Sequence, residues 1–579
     1  MIVVILAVMA AGGYFAWKRF FVKNDLDRLP LVTNARLSRL TTSGNITSTA
    51  VSPDARYVAY VARDGGQESL WVRQTATSSA EQVVPPAPQA FLSWPNFSPD
   101  ANFIYFTRGR SEKSNDMQLF AVPVLGGTPR KIADHLSTTF TLSPDGTKIA
   151  FLGLGCEGLE ICLTQINSDG SGRMMLTKWN TPHYAPSWSP DGKRIAFETL
   201  VDEDPQGLRA HLQTYDISTQ KTVDLPSRWR TIRNLLWTRD GRGLLVTAQE
   251  QAGDPTQIWY VSYPDGAKQR VTNDLEDYES VSVSQDAGSV VAVQTNVNAN
   301  LWIAPSDHPD DIKQVTQGRN DGLHGLDFAT PQKLVFTSND SGNWDLSTVD
   351  LTSGTSQIIS GTPRYHSMPV ACDSGRSAVF VSNTGGGNHL WKIDVDGTNV
   401  VQLTHGVGEV YPRCPREQRW FAFVNEDEAT PGGNLRKMPL DGGQDTAIVP
   451  ETAIAINLAP DGQHILFATL DEGPEKKLSV GMATVDGSAP IVYLDPPPRP
   501  TILRDGRWIL DQQLLIYVDA HSGAPNLWTF PLAKGKAPQQ LTHFNTGRIF
   551  AISVSPDGSK IAYSRGSINS DVVLFSRNR

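Results

Sequence analysis

The chain has 579 residues, of which 39% are hydrophobic and 19% charged, a soluble globular profile with too much apolar content for global disorder. A net charge of -9 carries no basic signature of a nucleic-acid binder, and four cysteines exclude a disulfide scaffold or a Cys-rich zinc module. Gly (48) and Pro (38) are in excess, which predicts many turns and few long helices.

In chain order, the first element is an uncharged run over residues 2–17, IVVILAVMAAGGYFAW, about 24 Å long as a helix. With Lys18 and Arg19 snorkelling, residues 1–22 read as a single-pass membrane anchor and 23–35 as a linker. A cleaved signal peptide is the alternative, but the run lacks a basic n-region. Lys18, Arg19 and Lys23 follow the span, so the positive-inside rule conflicts with an extracytoplasmic body, and a start at a span raises a missing upstream domain.

From residue 36 onward one phrase recurs, a Ser-Pro-Asp-Gly-like turn followed by an apolar strand. Its copies fall at Asp54, Asp100, Asp145, Asp191, Asp240, Asp286, near Pro331, at Asp373, near Arg416, at Asp461, near Asp511 and at Asp557. Successive steps are 42 to 50 residues, the period of one four-stranded propeller blade. Pro presets φ, Asp bonds back to the backbone and Gly takes positive φ; Ala55 and Ala101 in the Gly place predict strain or another turn type. An aromatic strand (Leu70-Trp71, Leu301-Trp302, Leu390-Trp391, Leu527-Trp528) and a Gln-Leu-Thr-like strand (Val271-Thr272, Val315-Thr316, Leu403-Thr404, Leu541-Thr542) complete each unit. The recurring Trp predicts core between blades.

These phrases together resemble the TolB-type β-propeller repeat, which also occurs in tricorn-type propellers and in the propeller half of some prolyl-oligopeptidase relatives. The resemblance implies an all-β fold of tandem β-propellers: 12 four-stranded repeats, read as two six-bladed rings over 36–308 and 309–579. The span plus propellers also resembles the C-terminal half of bacterial one-pass kinases or winged-helix regulators, although no kinase motif is present.

The ends predict ring closure. Leu37–Thr41 matches a fourth strand before any first turn, and Val572–Ser576 matches a third strand with no fourth after it. Either each half closes in this permuted way, with a cut near 306–311, or the rings interlock and the N-terminal strand closes the second ring.

Chemical motifs are sparse. There is no Gly-x-Ser-x-Gly elbow, HExxH or EF-hand pattern, so no catalytic residue, metal or cofactor is expected. Cys156 and Cys162 flank the loop CEGLEIC and are read either as a hairpin disulfide or as free thiols; Cys372 and Cys414, on neighbouring blades, are expected to lie too far apart to bond. A candidate channel rim stands just before the first strand of several blades: His183, Tyr184, Asp277, Tyr278, His324, Arg364, Tyr365, His366, Glu409 and Tyr411. The competing reading packs each Tyr on a following Pro. The functional expectation is a non-catalytic, membrane-anchored binding or scaffold module, the extracytoplasmic sensory part of a signalling protein, taking a protein, peptide or glycan at the propeller mouths. A stand-alone TolB-like envelope interaction factor is the alternative, and a propeller hydrolase acting at the channel is the second.

Overall fold

The computed structural model describes residues 35–577 apart from 78, 89, 110–116, 155–160, 180–182, 202–208, 252, 362–364, 385–386, 407, 427–432, 471–477, 495–497, 510–513, 520–523 and 534–535. The expected anchor lies outside these residues, and no described helix is long and apolar enough to cross a membrane. The chain is all-β, built mostly of four-stranded antiparallel sheets.

The turn phrase is a hydrogen-bonded device. The hydroxyls of Ser52, Ser143, Ser189, Ser284 and Ser555 donate to the Asp two residues on, each at 2.6 Å. Each of these hydroxyls also accepts the N–H that opens the next strand, as from Lys148 and Lys560, both at 2.9 Å. The same Asp accepts the N–H of the residue two further on, as from Thr147 at 3.0 Å. Three donors on one carboxylate hold Asp145 below the usual range, and Asp557 is lowered to about 2. Gly146, Gly192 and Gly558 sit at φ 71°, 73° and 70°; Ala55, Ala101 and Ala287 adopt the same left-handed region at 58°, 59° and 51°. The strain expected at alanine is therefore borne within one turn type, at about 1–2 kcal/mol each.

The Gln-Leu-Thr phrase has an equally local cause. Thr272, Thr316, Thr404 and Thr542 accept the N–H of Ile258, Leu301, Leu390 and Leu527 at 2.9, 3.0, 2.8 and 2.8 Å. The outer strand is short, so without the hydroxyl the first N–H of the third strand would have no ladder partner. The aromatic strands pack as expected: Trp259 is buried against Trp229, and Trp302, Trp391 and Trp528 lie half-buried on core clusters.

The described residues form two compact units, unit 1 from 35–201, 209–296 and 569–577, unit 2 from 297–568. Two long strands, Ser289–Pro305 and Lys560–Arg577, pass from one unit to the other. In unit 1, Asp277–Val283 is followed by the first part of Ser289–Pro305, then the last part of Lys560–Arg577, then Ala35–Arg39. Ala35 pairs with Arg577 and Arg39 with Val573. Thr41 accepts the N–H of Val572 at 2.9 Å, the bond made by the Gln-Leu-Thr threonines. The two chain ends are thus joined, and what they complete is unit 1. In unit 2, Arg548–Val554, the first part of Lys560–Arg577, the remainder of Ser289–Pro305 and Lys313–Gln314 make the matching set.

The innermost strands contact one another in a closed circle in each unit: Ile46–Val51, Phe91–Phe97, Arg130–Leu142, His183–Trp188, Thr231–Trp237 and Asp277–Val283 in unit 1. In unit 2 they are Leu326–Thr330, His366–Cys372, Glu409–Arg413, Ala455–Leu458, Arg507–Trp508 and Arg548–Val554. These neighbours are not paired as a sheet, so their inward N–H groups need side-chain acceptors. Ser280 and Ser282 accept from Thr49 and Val51, Thr141 from Trp188, and Ser187 from Trp237, at 3.0 to 3.3 Å.

The disulfides correct one expectation. Cys372 and Cys414 are bonded, with Cα atoms 5.4 Å apart. They end two adjacent innermost strands, and these strands converge at the channel although their sheets fan apart outward. Cys162 is also disulfide-bonded, while Cys156 lies outside the described residues.

Candidate functional site at the channel of unit 1

The innermost strands of unit 1 enclose a cavity of about 210 Å³. Along its middle the wall carries neutral polar groups, Thr49, Asn96, Thr141, Ser187, Asn234 and Ser280. One end is ringed by the second residue of each turn: Pro53, Pro99, Pro144, Pro190, Gln285 and Arg239. Arg239 stands where four turns carry Pro. It donates to Val283 O at 3.3 Å, and burial lowers its pKa.

Toward the N-terminal ends of the same strands the chemistry changes. Tyr184 pairs in register with Glu198, Thr231–Trp237 brings Arg233, and Asp277–Val283 brings Asp277 and Glu279. Glu198 is only 6% exposed and accepts the N–H of Ile232; burial pushes its carboxyl up to about 8. Asp277 accepts the N–H of Thr256 at 2.7 Å, and burial raises its pKa as well. Glu279, also raised by burial, lies 3.8 Å from Arg233 Nε. Burial and the nearby Glu198 raise the Tyr184 hydroxyl. Three carboxyl groups thus share one arginine, whose side chain is 55% exposed, and Tyr184 stands beside Glu198. Such a cluster attracts a cation and can take or release a proton near neutral pH.

The expected rim residues fall into three places. Tyr184 and Asp277 belong to this cluster. His183 is buried, stacked on Trp179 at 4.1 Å, with Gln213 Oε1 3.3 Å from its Nε2. Tyr278 is buried, donates to Asp274 at 2.8 Å and accepts from Gln294 at 3.0 Å. The others stand in unit 2. His324 meets Trp344 and Tyr365 edge-on at 4.1 and 5.3 Å, and burial lowers it to about 4. His366 meets Phe380 at 5.2 Å and is likewise lowered to about 4 by burial. Glu409 is enclosed, accepting from Thr404 at 2.8 Å and Gly406 N at 2.7 Å, with His389 Nδ1 2.9 Å away. Tyr411 takes φ 56° before Pro412 and packs on a core cluster. Arg364 lies outside the described residues. Glu198, Arg233, Glu279 and Arg239 were missed. The available signal was a charge one residue after an apolar strand core, Arg194-Ile-Ala-Phe-Glu198, opposite Tyr184.

Closed circles of innermost strands with sheets radiating from them define a β-propeller protein. Residues 133–324 match the TolB beta propeller domain and residues 38–191 the lipoprotein LpqB beta-propeller domain. The chain carries a TolB-type β-propeller. Among solved structures it is similar to TolB from Acinetobacter baumannii, at 15% identity over 61% of this chain and 81% of that one, TM-score 0.26. It is also similar to the tricorn protease, at 11% identity over 86% and 62%, TM-score 0.32.

Among curated relatives, dipeptidyl-peptidase 5 of Porphyromonas endodontalis is 25% identical over 276 residues, 42% of this chain and 36% of that protein. Tricorn protease homolog 1 of Streptomyces coelicolor is 24% identical over 440 residues, 71% of this chain and 35% of that protein. The chain spans about a third of the length of the curated relatives it matches. These relatives are named as peptidases. That overturns the expectation of a non-catalytic scaffold and of a chain that is not an enzyme.

Proposed function

We propose that this protein is a propeller hydrolase of the peptidase class, and that the acidic mouth of unit 1 holds the cationic group of a peptide. The observation that carries the binding role is the grouping of Glu198, Asp277 and Glu279 around the single Arg233. The peptidase names of the relatives support the reaction class. The fold reading that accompanies it is six blades in each unit, supported by the strand sets around each circle.

A peptide amine or guanidinium entering the cluster finds Asp277 and Glu279 against one arginine. Its charge also favours ionisation of Glu198, which with a pKa of about 8 is mainly protonated at neutral pH. Binding therefore releases a proton there, and affinity for the cation rises with pH until about 8.

The test uses the full-length protein and peptides with a free or an acetylated amino terminus. Cleavage is expected, with KM lower for free-amine or Lys/Arg-bearing peptides. In Glu279→Gln, KM for those peptides rises several-fold while kcat is kept. Absence of cleavage of every peptide defeats the hydrolase reading; cleavage with no cation preference defeats the role of the mouth.

A further inference from the structure

Unit 2 surrounds its channel with different side chains. Arg413 ends the innermost strand Glu409–Arg413, and Arg416 follows it by three residues. Arg413 Nη1 donates to Pro412 O on its own strand at 2.9 Å, and its Nη2 to Arg504 O at 2.6 Å, in the short helix Pro500–Asp505 just before the innermost strand Arg507–Trp508. Arg416 Nη2 donates to Val554 O at 2.9 Å, on the strand opposite in the circle. Arg416 therefore reaches the opposite side of the circle, and Arg413 reaches past its neighbouring innermost strand. Arg507, on a third innermost strand, donates to Gly506 O at 2.9 Å.

All three arginines are satisfied only by neutral main-chain carbonyls in the bonds described. The Nε–H of Arg413 is buried and meets no acceptor among the described residues. A carboxylate facing them is Asp327, already engaged by the hydroxyl of Ser553 at 2.6 Å and the N–H of Ala371 at 2.9 Å. Asp505 is taken by Arg504 at 2.9 Å. With Arg504, four cations thus stand near three carboxylates, Asp327, Asp505 beside Arg413 and Asp557 beside Arg416. Burial together with the charge of Arg507 pushes Arg413 down to about 9. A guanidinium bonds a carboxylate or phosphate about twice as strongly as a neutral carbonyl, and often through two N–H groups at once.

From this we infer that the lumen of unit 2 is an oxyanion-binding site formed by Arg413, Arg416 and Arg507. The ligand chemistry is a small anion with two or more oxygens on one centre, a phosphate or a carboxylate. It takes the unfilled donors and replaces the carbonyl partners of these arginines. The disulfide between Cys372 and Cys414 fixes the chain from which Arg413 and Arg416 project, so the donors are held before the ligand arrives. The site stands independently of the peptide reading of unit 1.

The experiment measures thermal unfolding and calorimetric titration of the full-length protein. Its probes are sodium phosphate, an N-acetyl dipeptide with a free carboxylate, the same dipeptide as its amide, and sodium chloride at matched ionic strength. Expected is a rise of about 2 °C or more with phosphate or the free carboxylate over chloride, and none with the amide. A shift with phosphate alone assigns the site to phosphates, and one with the dipeptide alone assigns it to carboxylates. Arg413→Gln should abolish the shift. Arg507→Gln, on a different strand, should weaken it at least several-fold and serves if the first variant fails to fold. Arg239→Gln in unit 1 should leave it unchanged. No rise over chloride in the wild type, or a rise that survives both unit 2 variants, overturns the inference.

Discussion

The hydrogen-bond belts around the two channels differ in one chemical respect. In unit 1 the acceptors of the inward N–H groups are hydroxyls, those of Thr141, Ser187, Ser280 and Ser282, and Arg239 at one end is the one charged side chain among the described residues lining the cavity of about 210 Å³. In unit 2, Ser553 repeats this role for Phe328 N at 3.3 Å, but Ala371 N is received by the carboxylate of Asp327. Arg416 then reaches the opposite side of the circle and Arg413 past its neighbouring strand, and a disulfide ties the strands beside them. A hydroxyl gives and takes without charge, so this belt adds none to its lumen. A carboxylate in the same place creates a local charge that must be balanced, and here it is over-balanced. One architecture thus supplies an acidic mouth over a cavity with a hydroxyl belt in one unit and a basic lumen in the other.

The comparison can be broken most forcefully at the disulfide. Cys372→Ser with Cys414→Ser frees a loop of 42 residues and should cost about 4 kcal/mol. Calorimetry should show the loss in unit 2's transition; an equal loss in both would mean that the exchanged strands unfold together. Asp327→Ala comes next. It strands the Ala371 N–H and the Ser553 hydroxyl and removes the carboxylate among the arginines, a loss of about 3 kcal/mol, against about 1 kcal/mol for Ser280→Ala in unit 1. Equal losses would remove the distinction between the belts.

The pH dependence sharpens the contrast at the mouth of unit 1. Glu198 binds its proton more tightly folded, at about 8, than unfolded, at about 4.3. The folded state then holds more protons between these values, so stability falls as pH rises through them, at a ceiling of about 1.4 kcal/mol per pH unit from this group. Glu198→Gln should flatten that slope in denaturant titrations at pH 5 to 7; an unchanged slope would mean that the carboxyl is ionised. The smallest effects are at the turns. Ala55→Gly, Ala101→Gly and Ala287→Gly should each stabilise by up to about 1 kcal/mol, because left-handed φ carries no Cβ penalty for Gly, less the entropy Gly adds to the unfolded chain. All three lie in unit 1 and should raise its melting temperature first.

Much of this protein is written locally. The Ser-Pro-Asp-Gly turn, the Thr that receives the third strand's first N–H and the aromatic strand each depend on partners within about 20 residues. Their spacing therefore disclosed the propeller repeat, and Leu37–Thr41 disclosed the join of the chain ends through the same Thr bond, now seen between Thr41 and Val572. Tyr184 and Asp277 were visible as rim residues because they begin innermost strands.

The remainder depended on closing the circles. Arg413 meets a carbonyl 91 residues away, and Arg416 one 138 residues away, distances over which no motif keeps a fixed spacing. Cys372 and Cys414 looked one blade apart and unbondable, yet innermost strands converge where blades meet. Glu198 has an unexceptional sequence context, and only burial between strands raises its pKa. Which unit the joined ends complete was likewise decided by the tertiary structure, because Ser289–Pro305 and Lys560–Arg577 each contribute to both units. The sequence by itself determined the repeat, its turns and its strand chemistry, since these are short-range hydrogen bonds and packing. Tertiary structure decided the channels, since charge there is set by residues brought together only when each ring closes.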